Sequence, residues 1–197
     1  VFINGQLHKA LSKISIENVE FLSFNYALND AKHKEVFDNY FNTIAAKDLA
    51  FTNLNEAFCK QGFFLKVPKN MVIEKPIHVF YISQNQQDNT FYNTRNLLIA
   101  EAGSKVEIIE SHHNFDDTYV FTNSVTEIFT YQNAKADWHK VQNDNDTSYL
   151  MDHTFAKQER DSLTTVNTFT FGGKLVRNNL SFIHNGENIN SFMNGIT

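Results

Sequence analysis

Apolar and polar positions alternate in short runs over most of the chain, and turns break the alternation at an almost even spacing. The clearest stretch is 163–188, LTTVNTFTFGGKLVRNNLSFIHNGEN. Its β-branched and aromatic runs are cut by polar turns, Gly172-Gly173-Lys174 and Asn185-Gly186-Glu187, about a dozen residues apart. That is the spacing of a β-solenoid, in which each strand pairs with the coils above and below and not with a hairpin partner. The same rhythm predicts strands at 63–67, 77–82, 94–100, 105–110, 120–131, 136–142, 149–155, 163–171, 174–183 and 188–193. Small or charged residues fill the turns, as in Ala102-Gly103-Ser104-Lys105, Asn133-Ala134-Lys135-Ala136 and Arg160-Asp161-Ser162. No strict motif recurs, so the repeat is structural. On this reading Phe169 and Phe171 are core, and Asp at either is expected to unfold the solenoid by burying an unpaired charge.

Upstream the pattern is mixed. Val1-Phe2-Ile3-Asn4-Gly5-Gln6 reads as a strand entering a tight turn at Asn4-Gly5, with a second strand near 19–24. From His33 the period lengthens: Val36, Phe37, Tyr40, Phe41 and Ile44 make one helical apolar face. A further helix is expected over 48–60, with Phe51, Leu54, Ala57 and Phe58 inward, Asp48 as N-cap and Gly62 as the C-terminal stop. The chain therefore divides into a small α/β N-terminal segment with two helices, 1–70, and a mainly β solenoid core, 71–197. It begins at Val1 and stops at Thr197 inside strand-like sequence, so the core reads as cut off at its C-terminal end.

Composition narrows the chemistry. A length of 197 residues suffices for one domain with a sizeable core. The net charge of -5, without a basic run, argues against a surface that tracks nucleic-acid phosphates. Nineteen Phe against one Trp and two Pro suit a β-rich core. The one cysteine, Cys59, excludes an internal disulfide and a cysteine-built zinc or iron–sulfur site within one chain. No apolar run reaches the roughly 18 residues of a membrane helix. With no secretory leader in view, a cytoplasmic location is expected.

Four stretches together carry a resemblance: FTNLNEAFCKQGFFLKVPKNMVIEKPIHVFYI (51–82), NTRNLLIAEAGSKVEIIESH (93–112), ADWHKVQND (136–144) and FGGKLVRNNLSFIHNGEN (171–188). In order and spacing they resemble the SufB/SufD family of iron–sulfur cluster assembly proteins. The single cysteine makes the chain more similar to SufD than to SufB. The resemblance implies a right-handed parallel β-helix that pairs with a SufB-like protein. It also implies a SufC-like ATPase partner docking on a C-terminal helical domain outside this sequence, together with the family's best-known interface residues. Any ATP hydrolysis would then belong to the partner.

Four positions are candidate sites. His112 follows the 105–110 strand with His113, about where SufB has a cysteine; an imidazole there is able to meet iron transiently. The competing reading is a polar turn at the strand end. Gln142 and Asn143 match a Gln-Asn pair of both sister families, and Lys157 matches a lysine of SufB. In SufB these positions are linked with a polar path through the β-helix. The plainer readings are a side-chain ladder at Gln142 and a solvated charge at Lys157. Cys59, with nothing cationic in its vicinity, reads as core. Asp144-Asn145-Asp146 lacks the glycine and glutamate of a calcium loop, Asp152-His153 lacks a nucleophile, and Gly172-Gly173 has no strand-to-helix context for a phosphate cradle.

These features favour a non-enzymatic scaffold subunit of an iron–sulfur cluster assembly complex. It would hold no cofactor firmly by itself and would meet iron or a cluster only transiently, with no nucleic-acid or membrane partner. The alternatives are a homodimeric β-helix interaction protein and, with less support, a carbohydrate-active β-helix enzyme.

Overall fold

The computed structural model describes residues 1–13, 16–84 and 89–197. Two sheets face each other. β4 (Phe63–Val67), β6 (Thr90–Ala100), β8 (Val120–Thr130), β10 (Ser148–Glu159) and β12 (Leu175–Asn185) stack in parallel in one sheet. β5 (Ile77–Ser83), β7 (Lys105–Asn114), β9 (Lys135–Gln142), β11 (Leu163–Thr170) and β13 (Asn190–Ile196) stack in the other. The chain alternates between them, which is the expected parallel β-solenoid. Leu97 stands opposite Glu127, Glu127 opposite Phe155 and Phe155 opposite Ser181, so successive coils shorten from 30 to 28 to 26 residues. β6, β7 and β10 run longer than the alternation predicts; β7 continues through His112 to Asn114, so His112 lies within a strand and not in a turn.

One corner of each coil carries a left-handed residue: Asn70, Gly103, Asn133, Asp161 and Asn188, with φ between 56° and 71°. Asn, Asp and Gly tolerate this conformation best. The backbone N–H at each of the first four donates to the turn of the next coil, as in Gly103 to the Gln132 carbonyl at 2.9 Å, and the ladder thus continues around the corner. A Cβ on Gly103 would come within 2.4 Å of the Asn70 side-chain oxygen, so any other residue there would have to push that side chain aside.

The N-terminal segment closes one end and one face. β1 (Phe2–Ile3) forms the expected hairpin with β2 (Gln6–Leu7) and joins β5 in parallel; β3 (Glu20–Ser23) adds antiparallel to β4. Helices α1 (Phe24–Asn29), α2 (Lys34–Tyr40) and α3 (Ala50–Phe58) accompany the sheet containing β6, and α1 occupies sequence left outside the two expected helices. Phe24, Phe37 and Phe64 pack there with Leu97 and Ile99, which is why β6 is buried on both faces from Tyr92 to Ala100.

α3 departs from the expected orientation. Phe58 is 63 % exposed, while Thr52 and Asn55 are buried. The Asn55 amide donates to the Thr94 and Asn123 carbonyls at 2.9 and 3.0 Å, so the helix docks by its polar face on β6 and β8. Leu49, not Asp48, precedes its first turn. Cys59 is buried as expected, and burial pushes its thiol up. Phe171 is exposed at a corner and Phe169 lies half-buried on an outer face, which overturns their assignment to the core.

Between the sheets the interior has two halves. Toward the corner with the left-handed residues it is apolar, with Leu98, Val106, Ile108, Ile128, Ala136 and Val166 around Trp138. Phe21, Phe63 and Trp138 stack in a row with centroids 5.0 and 5.7 Å apart. Toward the opposite corner the inward side chains become polar.

Candidate functional site

Inward positions alternate along each strand, and stacking in register brings residues a full coil apart into contact. On β7 these are Glu110 and His112; on β9, Trp138, Lys140 and Gln142; on β10, Asp152 and Thr154. Glu110 is fully buried and Asp152 and Lys140 are 2 % and 5 % exposed.

These side chains form two buried networks side by side, one around Glu110 and one around Lys140. The Trp138 Nε1–H donates to Glu110 Oε2 at 2.9 Å, and Glu110 Oε1 lies 2.7 Å from His112 Nε2. The imidazole stacks on Tyr81 with centroids 4.9 Å apart, and the Tyr81 hydroxyl donates to Asn96 at 2.8 Å. Beside this pair, Lys140 Nζ donates to both Asp152 oxygens at 2.8 and 2.7 Å and to Thr154 Oγ1 at 2.7 Å. Buried charges persist only when so paired.

Burial alone would raise the Glu110 carboxyl, but the Lys140 charge and the His112 hydrogen bond outweigh it and hold the group below its ordinary value. For His112, burial opposes the charged ring, and the hydrogen bond and charge of Glu110 prevail, so its pKa lies above 6.5. The site thus combines a tethered imidazole, two enclosed carboxylates and one ammonium. It is able to orient polar groups and to attract cations.

The structure brings His112 and Gln142 together: they are direct register partners on β7 and β9. Gln142 donates from Nε2 to Asp144 Oδ2 at 3.2 Å. Asn143 points outward and is exposed. Lys157 also faces out, 4.0 Å from Glu159, and takes no part in the interior network. Sequence reasoning missed Glu110, Trp138 and Lys140, and set Asp152 aside. The available signal was charge at inward-parity positions, Glu110, Lys140 and Asp152, in strands otherwise alternating correctly.

A second buried ion pair, Arg95 with Glu127, sits on the outer face beneath the helices. Asn42 and Ile44 donate their backbone N–H groups to Glu127 at 2.9 and 3.3 Å, and Arg95 donates to Asn55 at 3.3 Å. This pair fastens the N-terminal segment and does not reach the interior. Among the described residues, no three His, Cys, Asp or Glu side chains converge as a metal cage, and no helix is long and apolar enough to cross a membrane.

Comparison with known proteins gives this architecture a family. The model for the SUF system FeS cluster assembly SufBD core domain matches 81–197, and that for the SufBD protein N-terminal region matches 1–79. An iron–sulfur cluster assembly SufBD family protein of Synechocystis is 25 % identical over 195 residues, covering 95 % of this chain and 43 % of the relative. One from Staphylococcus saprophyticus is 27 % identical over 138 residues, 69 % of this chain and 29 % of the relative. The chloroplastic protein ABCI7 of Arabidopsis thaliana is 27 % identical over 136 residues, 66 % and 29 % of the two chains. The chain spans less than half the length of these relatives. With both family models matched in order along the chain, it belongs to the SufBD family of iron–sulfur cluster assembly proteins.

Proposed function

We propose that this chain is a non-enzymatic scaffold of the SufD kind in an iron–sulfur cluster assembly complex, pairing with a SufB-like β-helix and coupled to a SufC-like ATPase. The match of both family models, in order, is the observation that carries this reading. A rigid solenoid supports it physically: each coil is fixed by backbone ladders to its neighbours, and such a wall holds a partner in one orientation. A buried free thiol at Cys59 suits a reducing compartment such as the cytoplasm.

Within this role iron or a nascent cluster is cargo. His112 is the residue through which this chain meets it, with Gln142 beside it on the inner wall; Asn143 and Lys157 lie outside that path. Energy comes from the ATPase partner. The test is co-purification of the full-length protein with the SufB-like and SufC-like chains of its own organism. A stable complex, hydrolysing ATP only when the SufC-like chain is present, is the expected result; a protein that runs alone or as a homodimer would sink the scaffold reading.

A further inference from the structure

We infer that the solenoid corner at His112 is a labile site for a divalent cation of borderline softness, held by His112 Nδ1, the Gln142 side-chain oxygen and the Asp144 carboxylate. This rests on the reading of His112 as the residue that meets iron, and adds the remaining donors and the class of ion.

The imidazole is already oriented for the task. Its Nε2 is engaged by Glu110 at 2.7 Å, which leaves Nδ1 as the ligand atom. A carboxylate behind the ring is how metal-binding histidines are commonly fixed in tautomer and made more basic. Gln142, 4 % exposed, stacks directly on His112 in the next coil. Its Nε2 is committed to Asp144, while its buried Oε1 has no hydrogen-bond partner among the described residues. A buried polar oxygen without a partner is rare and asks what completes it.

Space and charge agree. A cavity of about 20 Å³ is lined by His112, Asp144, Asn114, Ser148 and Tyr92. A second, of about 10 Å³, lies between His112, Gln142, Lys140 and Asp152. Each is the size of a single water molecule or a bare ion. The Glu110 and Asp152 carboxylates face the Lys140 ammonium and the His112 ring, and Asp144 adds a third carboxylate at the mouth, so the corner keeps surplus negative charge even with the ring protonated. One imidazole with carboxylate and amide oxygens suits ferrous, cobaltous, nickel or zinc ions; all-oxygen sets suit calcium and magnesium. With only two strong donors, the ion is held loosely, as cargo must be.

The experiment is an anaerobic titration of the chain with cobalt(II), followed by its d–d absorption. One saturable equivalent is expected, displaced by ferrous iron and not by magnesium. His112→Ala and Asp144→Asn should each weaken binding at least tenfold, while Asn143→Ala, whose side chain points outward, leaves it unchanged. Circular dichroism checks folding, and if His112→Ala does not fold, Asp144→Asn at the mouth decides alone. Absent saturable binding, or binding indifferent to the folded variants, overturns the inference. Because the titration needs no partner, it is separable from the complex: cobalt bound without co-purification sinks the scaffold reading only, and co-purification without cobalt binding sinks the site only.

Discussion

His153 illustrates how a single side chain on the solenoid wall answers to its surroundings. It is 4 % exposed on the outer face of β10, stacked on Phe155, with the Asn179 amide 3.2 Å from its Nδ1. Burial disfavours its charged form and lowers its pKa below 6.5, against the pull of Asp152. A histidine depressed in the folded state binds a proton more readily when unfolded, so its neutral-state stability is present above the unfolded value and is lost as pH falls below it. Between about pH 7.5 and 5, urea stability of the wild type should therefore fall more than that of His153→Gln. Parallel curves would show that His153 does not titrate differently on unfolding. The neighbouring Asp152 points the opposite way, into the interior, where Lys140 neutralises it. Adjacent residues thus face different solvents, which alternation makes legible but whose chemistry it does not.

Along an element, parity decides what a substitution costs. Val166 on β11 is fully buried against the core, while Phe171, just past the strand, is 59 % exposed. Val166→Asp buries an unpaired carboxylate and should abolish cooperative folding. Phe171→Asp should stay within about 0.5 kcal/mol of wild type in chemical denaturation, as surface changes usually do. A large loss at Phe171 would mean that this corner is covered in solution. Aromatic character alone marked Phe171 as core, because the end of a strand and the start of a turn look alike in composition. The same ambiguity misplaced Phe58: an apolar stripe fitted a helix face, yet α3 docks through Asn55, whose amide reaches two carbonyls of the sheet. Hydrogen bonds to a partner element leave no periodic trace.

At the scale of the molecule, the Arg95–Glu127 pair joins the helical segment to the solenoid. Both side chains are fully buried, and Glu127 also receives the backbone of Asn42 and Ile44. Arg95→Ala leaves that carboxylate enclosed without its cation, a loss of about 3–5 kcal/mol. Hydrogen exchange should rise first in α2, α3 and the link between them, with the β7–β9 and β8–β10 ladders protected to higher denaturant. Uniform loss of protection would mean that helices and solenoid unfold as one unit.

The sequence by itself determined the solenoid, because strand alternation, evenly spaced turns and left-handed-tolerant residues such as Asn133 and Asp161 are local properties of a chain. It also marked His112 and Gln142, through a resemblance that spans most of the chain. What the tertiary structure decided is the company they keep. Glu110, Trp138, Lys140 and Asp152 lie on three strands, and their meeting depends on the register in which coils of 30, 28 and 26 residues stack. That register is set by ladders and packing between coils, with no repeated motif to announce it. A shift of one residue would turn every one of these charges outward.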